Sequence, residues 1–307
     1  MTGETPPSVP GPRAGDGDLQ GRPEPLIRMR NGGLRYGDRT LWKELDLDVR
    51  PGEFWAVLGP NGSGKSSLVQ ALLGLRPLSF GTLRVLGADP RRAARHIGYV
   101  PQQGTAPAHE VIRARELVGY GLDGHRFGLR RFGLRFGLRG RGAATRHRVD
   151  AALEAVGASA YANAPLGTLS GGERQRVRIG QALATDPRVL LCDEPTLSLD
   201  LHHQRAVTEL IDRRRRDHGT AVVFVTHEIN PVLDLVDRVL YLAPQGHRIG
   251  PPEEVLTSES LSALYGSQVD VLRVRGRFVV VGAHDQQPVH HPELDTEHTH
   301  NTDGAYS

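Results

Sequence analysis

The chain has 307 residues, with 38 Lys and Arg against 35 Asp and Glu and a formal net charge of +3. That length suits one large α/β domain or two modest ones, and so small a charge gives no argument by itself for a nucleic-acid partner. There is no unbroken apolar run long enough for a bilayer span and no charged-then-apolar leader pattern at the N-terminus. The single cysteine, Cys192, excludes a disulfide framework within the chain, so a cytosolic protein is expected.

In chain order, residues 1–25 carry six prolines and five glycines and few apolar residues, a composition that predicts a disordered segment. Leu26–Arg30 and Leu45–Val49 alternate polar and apolar side chains and predict antiparallel strands. Phe54–Leu58 is a continuous apolar run that predicts a buried strand. It enters Gly59-Pro60-Asn61-Gly62-Ser63-Gly64-Lys65-Ser66, which fits G-x-x-x-x-G-K-[ST], the phosphate-binding loop of nucleoside triphosphatases. Ser67–Leu73 predicts the helix that leaves it. Glycines let backbone N–H groups turn inward on phosphate oxygens, and the helix N-terminus adds its positive dipole end. Lys65 reaches β- and γ-phosphates, and the Ser66 hydroxyl suits Mg²⁺. The strand and helix on either side argue against a chance glycine-rich turn.

A further strand is predicted near Thr82–Leu86, and residues 109–160 read as mostly helical. Within them Arg126-Phe-Gly-Leu-Arg130 recurs as Arg131-Phe-Gly-Leu-Arg135 and in part as Phe136-Gly-Leu-Arg139, giving six arginines and no acid through Arg141. A basic, aromatic-spaced patch for anionic lipid or nucleic acid is one reading. A surface loop lengthened by repeat slippage is the other, and the five-residue period, which fits neither a helix face nor a strand face, favours it. Gly172–Ala184 opens like a helix. Val189–Cys192 and Ala221–Val225 read as central parallel strands, joined right-handedly by a helix from about His202 to Arg216. Shorter strand and helix signals continue to about Val281. Cys192 lies inside an apolar strand and reads as a small buried side chain rather than a redox or metal residue.

Two acids close the run Val189-Leu-Leu-Cys-Asp193-Glu194. At the end of a strand beside a phosphate loop, Asp193 suits Mg²⁺ and Glu194 suits polarisation of an attacking water. Upstream, Leu169-Ser170-Gly171-Gly172-Glu173 places a serine and two glycines at a helix start, a second anion-binding N-terminus. A simple helix cap without ligand is the alternative.

With both motifs present, the chain resembles the ATP-binding-cassette (ABC) ATPases over about residues 26–281, most strongly from Leu169 to Val281. The resemblance implies an α/β phosphate-loop nucleoside triphosphatase fold with an antiparallel β-subdomain and an inserted helical subdomain, here at about 103–185. It implies that Ser170, Gly171, Gly172 and Glu173 meet ATP held by a second copy of the chain. Tyr36 matches the aromatic that stacks on adenine, against the alternative of a half-buried strand tyrosine. Gln102 matches the glutamine that touches Mg²⁺ or the attacking water, with Gln103 next to it as the other choice. Asp200 matches the aspartate that communicates across the dimer, and His227 the histidine that contacts the γ-phosphate. The resemblance thus implies that Tyr36 and Gly59 through Ser67 hold ATP, that Ser66, Gln102 and Asp193 hold Mg²⁺, and that Glu194, His227 and Gln102 are the catalytic set.

Thr226-His-Glu-Ile-Asn-Pro-Val-Leu-Asp-Leu-Val-Asp-Arg-Val-Leu-Tyr-Leu242 and the stretch from Glu254 through Gly266 to Val274 look like the ATPases of zinc and manganese importers. This implies membrane permease subunits, an indirect solute-binding protein, a place at the cytoplasmic face of the membrane, and no nucleic-acid partner. A soluble cassette ATPase acting on nucleic acid or ribosomes is the alternative. Residues 283–307 hold five histidines (His284, His290, His291, His298, His300), five acids and no Lys or Arg. Those side chains suit Zn²⁺ and similar ions, but the spacing defines no site and a solvated chain end is the favoured reading.

Overall fold

The computed structural model describes residues 23–102, 112–123 and 142–282. Strand β1 (Ile27–Tyr36) pairs antiparallel with β2 (Arg39–Val49), Ile27 opposite Val49 and Tyr36 opposite Arg39. Strand β3 (Phe54–Leu58) runs through the phosphate loop into helix α1 (Lys65–Leu72). Strand β4 (Phe80–Val85) returns antiparallel to β1, closing a three-stranded sheet in the order β2-β1-β4. Helix α2 (Pro90–Ala93) and strand β5 (Ile97–Val100) follow, then α3 (Ala114–Asp123), α4 (Ala143–Ala155) and α5 (Gly171–Leu183). Strand β6 (Val189–Asp193), helix α6 (Leu201–His218) and strands β7 (Ala221–Val225), β8 (Arg238–Ala243) and β9 (Gly246–Gly250) come next. Helices α7 (Pro252–Val255) and α8 (Ser258–Tyr265) and the hairpin β10 (Val269–Val274)–β11 (Arg277–Gly282) end the described chain.

The central sheet has the order β5-β6-β7-β3-β8-β9, parallel except for β9. Every residue of β3, β6 and β7 is buried, because the sheet is covered on both faces. Alternation along β3 divides two cores. Phe54, Ala56 and Leu58 join α3, α4 and α5 through Val118, Leu153 and Ile179, while Trp55 and Val57 join β1, β2 and α1 through Met29, Trp42 and Leu68. Phe54 meets Phe224 with ring centroids 5.6 Å apart. Each such large side chain contributes about 1.5–3 kcal/mol on burial, an upper bound for a compact unfolded chain. This is the expected α/β fold, with its antiparallel subdomain on one side and helices on the other.

Several boundaries differ from the sequence reading, among them the start of β2, at Arg39 rather than Leu45. The helix after the loop begins at Lys65 rather than Ser67, because Gly64 takes a left-handed conformation that lets the helix start inside the motif. Strand β1 continues to Tyr36, well past Arg30, because irregularities in register between Met29 and Arg35 let the pairing with β2 resume where simple alternation fails. Helix α6 stops at Gly219, a left-handed C-terminal glycine. The Arg126–Arg141 repeat, Gln103 and the histidine tail lie outside the described residues, as does the N-terminal segment up to residue 22. Among the described residues no helix is long and apolar enough to cross a membrane.

Candidate active site

Four neighbouring parallel strands deliver the chemistry at their carboxyl ends. Strand β3 ends in the phosphate loop, β6 in Asp193 and Glu194, β7 just before His227, and β5 just before Gln102. Ligands of open α/β sheets bind at that edge because the connections there leave a crevice. Tyr36, Asn61, Gly62, Gly64, Lys65, Ser66, Ser67, Gln102, Glu194 and His227 all line one open cavity of about 720 Å³.

The loop is shaped by close approach. Gly59 has φ +141°, and a Cβ there would fall 2.0 Å from the carbonyl oxygen of Leu242. Gly64 has φ +98°, and a Cβ there would fall 2.9 Å from the indole of Trp42 on β2. Lys65 Nζ donates to the carbonyls of Gly59 (2.7 Å) and Pro60 (3.0 Å), folding its ammonium along the loop. Burial pushes the Lys65 pKa down, and the charges of Glu194 and Asp193 resist that. Ser63 Oγ is buried with no hydrogen-bond partner among the described residues.

Asp193 is buried at the end of β6. Burial, then the neighbouring Glu194 carboxylate, raise its pKa, and only Lys65 pulls it down. Ser66 and Gln102 line the cavity and Asp193 does not, and the three offer hard oxygen donors: a hydroxyl, an amide and a carboxylate. That set fits Mg²⁺ completed by phosphate and water, and a divalent charge there offsets the repulsion between the two acids. Among the described residues no group of three or more His, Cys, Asp or Glu gathers to hold a metal by itself.

Glu194 has φ +47°, rare for a residue with a side chain. The neighbouring strand β7 holds it there, the Glu194 N–H donating to the Val225 carbonyl at 2.9 Å. The turn swings the carboxylate off the strand axis and into the cavity, at a conformational cost of about 1–3 kcal/mol. Gln102 Nε2 donates to Glu194 Oε2 at 2.8 Å, and His227 Nδ1 lies 3.8 Å from Glu194 Oε1. His227 is carried on a turn pinned by Thr226, whose Oγ1 accepts from the Glu228 N–H (3.1 Å) and donates to the Glu228 carbonyl (2.8 Å).

The second motif stands elsewhere. Ser170 caps α5, its Oγ accepting from the Glu173 N–H at 3.3 Å while the Glu173 carboxylate accepts from the Ser170 N–H at 2.8 Å. This capping box holds the Glu173 pKa below the usual carboxylate range and commits that side chain to its own helix. Gly172 packs against the His203 ring, and His203 Nδ1 lies 2.8 Å from Oδ2 of Asp200, the residue that caps α6. None of Ser170, Gly171, Gly172, Glu173 and Asp200 lines the cavity.

Tyr36 is the last residue of β1 and is 45% exposed. Arg39, Leu41 and Leu197 also line the cavity, and no sequence motif singled them out. The β1–β2 hairpin brings Arg39 across the loop, where its Nη2 donates to the Gly62 carbonyl at 3.1 Å. Only the charge of Arg39 could have hinted at this. Cys192 is fully buried and burial pushes its thiol pKa far up, so it packs and does not react.

A family model described as ABC transporter matches residues 42–197. The chain is 36% identical over 245 residues to the uncharacterized ABC transporter ATP-binding protein YvrA of Bacillus subtilis, covering 77% of this chain and only about half, 53%, of that relative. It is 38% identical to the aliphatic sulfonates import ATP-binding protein SsuB 1 of Pseudomonas fluorescens, over 73% of this chain and 76% of the relative. It is 32% identical to the zinc import ATP-binding protein ZnuC of a Chelativorans species, over 92% of this chain and 84% of the relative. Among solved structures, an inward-facing ABC transporter assigned to the metal-chelate type superposes with TM-score 0.68 at 28% identity, covering 83% of this chain and 96% of that one. The dimeric cassette MJ0796, bound to ADP and Pi after hydrolysis, superposes with TM-score 0.60 at 26% identity, over 74% of this chain and 98% of that one.

Proposed function

The chain belongs to the ABC transporter family, as an ATPase whose hydrolysis drives transport, and we propose that it energises import of a divalent metal ion, zinc or manganese. It acts as two copies sandwiching two ATP molecules, docked on membrane permease subunits at the cytoplasmic face. The observation that carries the sandwich is a separation. The phosphate loop, Gln102, Glu194 and His227 share one cavity, while Ser170–Glu173 do not line it. A second copy supplies the missing wall.

Each group then has a task. Lys65 leaves the Gly59 and Pro60 carbonyls for the β- and γ-phosphates. Ser66, Gln102 and Asp193 would hold Mg²⁺, which would supply positive charge to offset that of the phosphates. Glu194 orients the water and takes its proton as the new O–P bond forms and the γ-phosphoryl bond to ADP breaks. Gln102 fixes the Glu194 carboxylate by its 2.8 Å bond, and His227 reaches the γ-phosphate from beside it. The Ser170–Gly172 turn of the second copy closes on the same phosphate, so hydrolysis reopens the pair.

The metal assignment is supported by the extent of likeness to a zinc-import relative, 92% of this chain. The Thr226–Leu242 and Glu254–Gly266 stretches and the imidazole-rich tail agree with it. Uptake of radiolabelled zinc, manganese and sulfonate by cells lacking the chain is the test. Loss of zinc or manganese uptake, restored by the wild type but not by Glu194→Gln, supports the proposal. Loss of sulfonate uptake alone overturns it.

A further inference from the structure

Arg76 lies outside every motif in the sequence. It follows the far end of α1, the helix whose near end carries Lys65 and Ser66. The eight residues of α1 put roughly 12 Å between those ends at the helical rise. Its guanidinium carbon nevertheless sits 3.9 Å from the centroid of the Tyr36 ring. Two bonds hold it there. Arg76 Nε donates to Gln70 Oε1 at 3.3 Å, and the Arg76 backbone N–H donates to the Gln70 carbonyl at 3.2 Å. Tyr36 lines the nucleotide cavity, and Arg76 does not.

We propose that Arg76 is a positioning residue for the nucleobase. It clamps the back face of Tyr36, so that the front face is presented to a purine as a fixed and electron-depleted platform. The inference rests on the reading of Tyr36 as the base-stacking residue. The physics is that of a layered stack. A half-exposed tyrosine at the end of a strand otherwise loses ring-rotation freedom when a base binds. A planar cation already seated behind the ring limits that rotation beforehand and draws density from its π-face. The opposite face then meets the electron-rich purine more favourably. Lysine in place of Arg76 keeps the charge but not the plane.

The experiment measures binding of ATP and of inorganic tripolyphosphate, which has no base, to the full chain and its variants. Arg76→Ala is expected to weaken ATP about 2–5-fold, the range of an exposed cation–π contact, and to leave tripolyphosphate unchanged. KM for ATP rises by the same factor at constant kcat. Arg76→Lys falls between wild type and Arg76→Ala. In a Tyr36→Ala background, Arg76→Ala has no further effect. Equal weakening of ATP and tripolyphosphate, or an undiminished effect without Tyr36, overturns the proposal. Weakening by Tyr36→Ala with none by Arg76→Ala overturns the role of Arg76 alone. An unchanged ATP affinity in Tyr36→Ala overturns the base-platform reading and the proposal together.

Discussion

A Cβ on Gly172 would fall 2.0 Å from Cδ2 of His203, whose other side holds Asp200 at 2.8 Å. One imidazole therefore packs the start of α5 against the start of α6. Both turns are proposed to meet a second copy of the chain, so a rigid joint between them makes them advance or retreat together.

Gly172→Ala tests that joint. Alanine favours a helix over glycine by about 1 kcal/mol, whereas overpacking costs about 1–3 kcal/mol. The ring is a side-chain obstacle and can swing away, but only by releasing Asp200. The expected result is a small net loss of stability in urea melts and a turnover at least about tenfold lower, one lost transition-state contact's worth. Adding His203→Ala restores stability and not turnover. Wild-type turnover in Gly172→Ala would show that the joint does no work.

The phosphate loop carries its own reporter. Trp42 packs on Gly64, while Trp55 donates its indole N–H to Glu53 at 2.8 Å, away from the loop. ATP is expected to change the tryptophan emission of the wild type and of Trp55→Phe. Trp42→Phe is expected to lose the change. Gly64→Ala, strained at φ +98° and pressed on the indole, is expected to lose nucleotide binding and about 1–3 kcal/mol of stability in denaturant titration.

Much of this site was legible beforehand because its motifs encode local backbone shape. The glycines of the loop, the acids ending β6 and the serine capping α5 each report a turn that a few consecutive residues dictate. The strand runs Phe54–Leu58 and Ala221–Val225 matched their observed bounds because burial on both faces leaves no polar residue inside them. Arg39, Trp42, Arg76 and His203 were not legible. Each reaches a partner on a different element, far away in the sequence, and β1 hides its pairing behind register shifts. The left-handed Glu194 was equally hidden, since glutamate carries no sign of φ +47°.

Asp193→Asn should stabilise the nucleotide-free protein while disabling it. The native Asp193 pKa is raised, first by burial and then by Glu194. The native state therefore resists ionising it, and the cost is absent below about pH 4, where the group is protonated folded or unfolded. The cost grows as pH rises from the unfolded pKa towards the raised native one and is complete above it. The melting temperature of the variant should equal that of wild type in acid and exceed it at pH 7. Hydrolysis should fall about a hundredfold or more through loss of the proposed Mg²⁺ ligand. A variant less stable than wild type at pH 7 would mean that Asp193 is paired more favourably than its surroundings indicate.

The capping box gives the opposite sign. Glu173 has a lowered pKa, first through its bond from the Ser170 backbone N–H and then through the Ser170 side chain. Its contribution is present above the unfolded pKa and is lost as pH falls through the lower native one. Glu173→Ala should therefore melt below wild type at pH 7, with the gap closing on acidification beneath about pH 4. Glu173→Gln still accepts from the Ser170 N–H, so its gap to wild type at pH 7 should be smaller than that of Glu173→Ala, and it should change over the same acid range because the wild-type carboxylate titrates there. Ser170→Ala removes the other half of the box, costing about 1 kcal/mol. Were the Glu173 carboxylate released to reach a nucleotide in the free chain, Glu173→Ala would leave stability untouched at every pH, and the helix start would have to be held by Ser170 alone.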